Sequence, residues 1–150
     1  QYFNRMLESV AEKYKIPLTK PFAKLTDKQK NIVLNGVEEG LVEFRGTPEF
    51  SSTNPMGTLH GGWYGTLLDS AMACAVMTRV PKGSVYTTLE YKVNILRSIP
   101  LGMEISCIGT CQHAGRSTGI AIGEIRGLED GKLYATGSTT CIIMAMTPKG

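Results

Sequence analysis

Histidine is scarce in this chain: His60 and His113 are the only two in 150 residues. Neither lies in a cysteine or acid cluster with ligand spacing, so the sequence gives no ground for a metal site and calls for no cofactor. No two of the four cysteines, Cys74, Cys107, Cys111 and Cys141, make a C-x-x-C pair, and all sit in apolar or strand-like contexts. They read as small buried residues of a reducing compartment, and the cytoplasm is the expected location. No signal-peptide pattern is present in a chain that begins at Gln1. Long apolar runs are missing too. The best candidate, 63–77, is interrupted by Asp69 and falls short of the ~20 residues a membrane span needs. No basic run stands out. The net charge of +3 suits a small anionic ligand and makes no case for nucleic acid. A phosphate loop is absent, since Gly131-Lys132 is followed by Leu133.

What is present is an ordinary globular composition, 42% hydrophobic and 19% charged, long enough for a real core. Residues 1–15 place Phe3, Met6, Leu7, Val10 and Tyr14 at helical spacing. Pro17 and Pro21 mark 16–22 as a connector. Thr26 caps a second short helix ending near Gly36. The character changes at about residue 40, so we divide the chain into an N-terminal helical extension, 1–36, and a main domain, 37–150. In the latter, 41–45 reads as a strand and 47–58, with Pro48, Pro55 and Gly57, as a loop. A long apolar helix follows and ends before Pro81. Residues 85–97 alternate in near-strict period two. The runs 103–112, 118–126 and 133–146 look like a meander joined by tight turns. The class is α+β, with one helix apolar over most of its circumference and therefore wrapped by an antiparallel sheet.

Gly115-Arg116-Ser117-Thr118-Gly119 matches the G-x-S-x-G of serine hydrolases. A strand rather than a helix follows it, and both histidines precede Ser117, so it reads as a hairpin turn. Chemistry points elsewhere. Asp69 is an acid inside an apolar helix, where a carboxylate is costly unless something pairs with it or uses it. The helix opens at Leu59-His60-Gly61-Gly62, where bare glycine amides and the helix dipole can stabilise charge on a carbonyl oxygen. Each feature alone has a bland reading: tight packing for the glycines, a bond to Ser70 or Thr66 for the acid. Asp69 lies eight residues beyond Gly61, which is roughly 12 Å along a helix axis. One chain cannot bring both to one carbonyl, but two antiparallel helices of a symmetric dimer can. The expectation is a homodimer with two shared sites.

The run Asn54-Pro55-Met56-Gly57-Thr58-Leu59-His60-Gly61-Gly62, with Asp69 nine positions after His60, resembles the hotdog-fold thioesterases, nearest their PaaI-like (phenylacetyl-CoA type) branch. Thr88, Asn94-Ile95-Leu96-Arg97 with Pro100 and Gly102, and Gly115-Arg116 extend the resemblance over about 38–146. It implies a hotdog fold, dimers often paired into tetramers, and hydrolysis of acyl-CoA. Carried over, Asp69 is the general base or nucleophile and Gly61 the partner chain's carbonyl-polarising amide. Asn54 positions the water or thioester, Thr88 bonds near the attacking group and His60 shapes the loop. Gly62 and Trp63 fall at the substrate, and Arg97 and Arg116 suit the CoA phosphates. Trp63, Tyr64, Met72 and Phe50 read equally well as pocket lining or as core. A non-catalytic acyl-CoA sensor and a hotdog dehydratase or hydratase are the alternatives, while a DNA-binding or partner-binding appendage in 1–36 is set aside because no basic stripe marks it. Presence of both Asn54 and Asp69 argues against the first, and the His60-Gly61-Gly62 context against the second.

Overall fold

Three glycines set how closely the central helix approaches its sheet. The computed structural model describes residues 11, 15–30 and 40–145. Its sheet has five strands: β1 (Leu41–Gly46), β2 (Ser84–Ile95), β3 (Ile105–Ala114), β4 (Thr118–Gly127) and β5 (Leu133–Ala145). Their order is β1-β3-β4-β5-β2, every pairing antiparallel. Helix α1 (Gly61–Met77) lies on one face. Gly109 of β3 is paired with Gly123 of β4, and Gly123 with Gly137 of β5. The result is a furrow without side chains across three adjacent strands. A Cβ on Gly109 would overlap the backbone of Ala71 and Met72, and one on Gly123 would stand 2.8 Å from Met72 Cγ. Leu68, Ala71 and Met72 of α1 fill the furrow and are wholly buried. This is the α+β arrangement expected, with the apolar helix against the sheet.

Element bounds match the sequence reading within two residues for β1, for the start of α1 and at both ends of each later strand; α1 ends at Met77, before Pro81 as expected. The strict alternation expected over 85–97 does not hold. A bulge at Leu89 shifts the register between Thr88 and Glu90. Before it, Tyr86 and Thr88 face α1; after it, Tyr91, Val93 and Ile95 do. The buried Thr139 hydroxyl donates to the Glu90 carbonyl at 2.8 Å and so stabilises the irregularity from β5.

The helix start is fixed by His60, whose Nδ1 accepts from Gly62 N–H at 2.9 Å. Buried Tyr64, in the first turn, donates to the Arg97 carbonyl (3.3 Å) and accepts from Ile99 N–H (2.8 Å). That ties the N-terminal end of α1 to the segment leaving β2.

The chain divides into two compact units, Gln1–Val37 and Glu38–Gly150. In the first, Thr26 and Gln29 form a reciprocal capping box: Gln29 N–H donates to Thr26 Oγ1 and Thr26 N–H to Gln29 Oε1. Residues 27–30 are helical. The helix expected over 1–15, apart from Ala11 and Lys15, and the continuation to Gly36 lie outside the described residues. No helix among the described residues is long and apolar enough to cross a membrane.

Two outcomes follow. Gly109→Ala should lower unfolding stability by about 3 kcal/mol, because its neighbour is helix backbone rather than a yielding side chain; an unchanged urea midpoint would remove the furrow from the account. His60→Ala should cost about 1 kcal/mol through the lost cap, read from the same melts.

Candidate active site

The loop before α1 is knotted by one side chain. Asn54 Oδ1 accepts from the backbone N–H of Met56 (2.9 Å) and Thr58 (3.2 Å), while Nδ2 donates to Thr58 Oγ1 at 2.8 Å. Gly57 sits at φ +76°, a conformation open to glycine, and its N–H donates to the Asn54 carbonyl. A Thr53–Leu59 bridge and a bond from His60 N–H to the Ser52 carbonyl close the loop behind it. Of the expected pair of free amides, Gly62 N–H is taken by His60. Gly61 N–H has no acceptor among the described residues and is exposed. It stands at the helix N-terminus, where the helix dipole favours negative charge.

From Gly61 the helix presents a stripe at four-residue spacing: Gly61, Gly65, Asp69. Strand β2 runs against it. Ile95 Cδ1 lies 3.5 Å from where a Gly61 Cβ would be, and Tyr91 Oη lies 3.2 Å from the same point on Gly65. Thr88 Oγ1 donates to Asp69 Oδ1 at 2.9 Å. Further along, the Cys74 thiol and the Tyr86 phenol lie beside each other. The acid therefore pairs with Thr88 of β2. Ser70 and Thr66 hydroxyls donate to carbonyls of the preceding turn instead. Asp69 is half-buried rather than buried, since β2 is the sheet's edge strand and leaves the seam open. Asp69 Oδ2 has no partner among the described residues.

Around the acid, burial favours neutral groups. It pushes the Tyr86 phenol up to about 12, helped by Cys74 beside it. It raises the Cys141 thiol, opposite Thr88 in the sheet, and the Cys74 thiol as well. Burial alone takes Cys107 to about 12. None of these thiols is poised as a nucleophile.

The two arginines lie at opposite ends of α1. Arg97 is beside Tyr64 at the N-terminal end, with Nη1 donating to the Leu133 carbonyl at 2.6 Å. Arg116 is exposed on the β3–β4 turn, near Gly119, which packs on Val76 in the last turn of α1. Trp63 is half-buried, edge-on to Tyr64 and against Gly46. Tyr64 and Met72 are core, whereas Phe50 is 81% exposed in the loop. Ser117 is in a hairpin turn, its carbonyl accepting from Ile143 N–H. Sequence reasoning did not single out Tyr91 or Gly65 as partners in the seam; only the pairing of β2 with α1 reveals them.

Residues 56–134 match the model of the thioesterase superfamily. Acyl-coenzyme A thioesterase 13 of Mus musculus is 29% identical over 92 residues, 61% of this chain and 65% of that protein. A hypothetical thioesterase of Streptococcus pneumoniae, solved with coenzyme A, is 27% identical with a TM-score of 0.65, covering 72% of this chain and 81% of that one. The PaaI protein of E. coli shares the fold at 23% identity and a TM-score of 0.65, over 73% of this chain and 76% of its own. A second, separate likeness lies upstream. Residues 1–61 match the model of the UvrA DNA-binding domain, and UvrABC system protein A of Staphylococcus epidermidis is 44% identical over 52 residues, 35% of this chain. The chain spans 6% of that protein's length and less than two thirds of the mouse enzyme's. Sequence reasoning missed this upstream likeness. A signal was present in the charge, since residues 1–37 hold seven lysines and arginines against three acids, spread without forming a run. With α1, β2, β3 and β4 inside the matched span, the chain belongs to the thioesterase superfamily.

Proposed function

We propose that the chain hydrolyses acyl- or aryl-CoA thioesters to the free acid and CoA. The observation that carries this reading is the seam: a carboxylate held by Thr88 through one oxygen, with the other oxygen open, on a helix whose first amide is free. On the proposed path, Asp69 takes a proton from water as the oxygen adds to the thioester carbonyl. The oxyanion then accepts from a Gly61 N–H, and its collapse expels the CoA thiolate, which takes up the proton. Direct attack by Asp69 would instead form a mixed anhydride that water cleaves. Both routes need Gly61 and Asp69 at one carbonyl, and the ~12 Å between them along α1 is why we assign the amide to a second copy. Strand β2, at the edge of the sheet, has backbone open to such pairing.

In this scheme Asn54 acts by holding the loop, with its second Nδ2 hydrogen left for a ligand. His60 fixes the helix start so that Gly61 N–H, not Gly62 N–H, faces the substrate. Gly62 leaves room at the backbone and Trp63 backs the loop. Arg97 and Arg116, at opposite ends of α1, would come to one CoA only across a dimer. A pair of dimers is the further assembly we infer, and the cytoplasm the expected setting. The likeness to a CoA-bound structure and to the mouse thioesterase supports the substrate class.

Thiol release from a panel of aryl- and acyl-CoA thioesters tests the chemistry. Asp69→Asn should fall by ~10²–10⁴-fold, the range of a general base, while remaining folded. Equal rates would sink the reading and favour the sensor. Gly61→Pro removes the amide hydrogen at a position where proline is tolerated. Each variant alone should be inactive, and their equimolar mixture should regain about a quarter of the activity if sites are shared across a two-fold axis.

A second reading, confined to the N-terminal unit, is favoured by its likeness to the UvrA DNA-binding domain and by its basic charge. It departs from the expectation of no nucleic-acid partner. The full chain should then retard duplex DNA in a gel, with affinity falling steeply as salt rises. No retardation at low salt would return the unit to a non-binding role.

A further inference from the structure

The proposed reaction leaves the acyl group unassigned, and the α1–β2 seam contains a residue that bears on it. Tyr91 is the first helix-facing residue beyond the bulge. Its ring lies over Gly65, one helical turn before Asp69, with Oη, Cε2 and Cζ at 3.2, 3.3 and 3.7 Å from the point a Gly65 Cβ would occupy. No slot remains between ring and helix. Yet the side chain is 47% exposed, and its hydroxyl has no hydrogen-bond partner among the described residues. Residues four apart on a helix stand about 6 Å from each other, so an acyl group that runs from a carbonyl at Asp69 toward the helix N-terminus meets this ring within its first few carbons. The glycine is what lets the ring sit this close: Gly65 is buried, and even an added Cβ would stand 3.2 Å from Tyr91 Oη, so the ring would have to give way.

We propose that Tyr91, seated on Gly65, is the specificity-determining residue of the site, closing the seam to long alkyl chains and offering its free face to flat aryl or short acyl groups. This rests on the thioesterase reading for the position of the carbonyl. An aryl group can lie along the exposed ring face, which suits offset or edge-to-face contact. A long chain would have to thread between β2 and α1, where the ring already touches the helix.

Binding rather than turnover tests it, so that the result stands apart from catalysis. Non-hydrolysable thioether analogues of phenylacetyl-CoA and of dodecanoyl-CoA, with free CoA as control, are titrated into the full chain and into Tyr91→Ala and Tyr91→Phe. The native chain should hold the aryl analogue at least ten-fold more tightly than the dodecyl one. Tyr91→Ala should bring the two within three-fold, Tyr91→Phe should keep the preference, and CoA itself should bind all three alike. An unchanged preference in Tyr91→Ala, or an equal loss of CoA affinity, would overturn the assignment, since Tyr91 would then be either remote from the ligand or on its thiol side. If no analogue binds the native chain, the inference fails whatever the hydrolysis assay gives. If thioesters are cleaved but Tyr91→Ala keeps the preference, the inference fails and the thioesterase reading stands.

Discussion

The row Gly109–Gly123–Gly137 determines where everything else can be. Close packing in protein interiors leaves no tolerance for an added methyl against main chain. A helix that touches strand backbone cannot slide or rotate without collision. Leu68 and Met72 seated in the furrow fix the rotation of α1. That rotation turns the Gly61–Gly65–Asp69 stripe toward β2 instead of into the core. The acid is half-exposed because the helix is locked with this side at the sheet's edge.

The start of the same helix is equally constrained, by different means. Asn54 gathers the loop through three hydrogen bonds, and His60 takes one of the two glycine amides. Satisfying Gly62 N–H and leaving Gly61 N–H is a discrimination between adjacent donors that a bare Gly-Gly pair would lack. Hydrogen bonds spent on scaffold in this way leave a single oriented donor at the positive end of the helix.

Much of this architecture was legible in the chain. The Leu59-His60-Gly61-Gly62 start, the acid within the apolar helix and the turn-separated strands are local patterns, and local patterns survive into structure. What escaped reading depends on pairing between distant segments. Gly109, Gly123 and Gly137 are each fourteen residues apart, but only two hairpins of matching register turn that interval into lateral contact. The parity of β2 was misjudged because the bulge answers to Thr139 on the neighbouring strand. Asp69 was recognised, but its partner Thr88 entered only through resemblance, and Tyr91 over Gly65 not at all, since neither contact has a sequence spacing that announces it. The upstream likeness to a UvrA segment was missed because its charge is dispersed rather than clustered.

The bulge at Leu89 has a further meaning for how such a chain can change. Without it, Thr88 and Tyr91 would project from opposite faces of β2, since side chains three apart in a regular strand do so. The extra residue brings a hydroxyl and an aromatic ring onto one face from positions of opposite parity. Upstream of the break the strand bonds the acid; downstream it packs on the helix turns before it. Substitutions on the downstream side can then reshape the surface beside Gly61 and Gly65 while the hydroxyl stays in place. A single deletion at the break would reverse one half against the other and dismantle both roles at once.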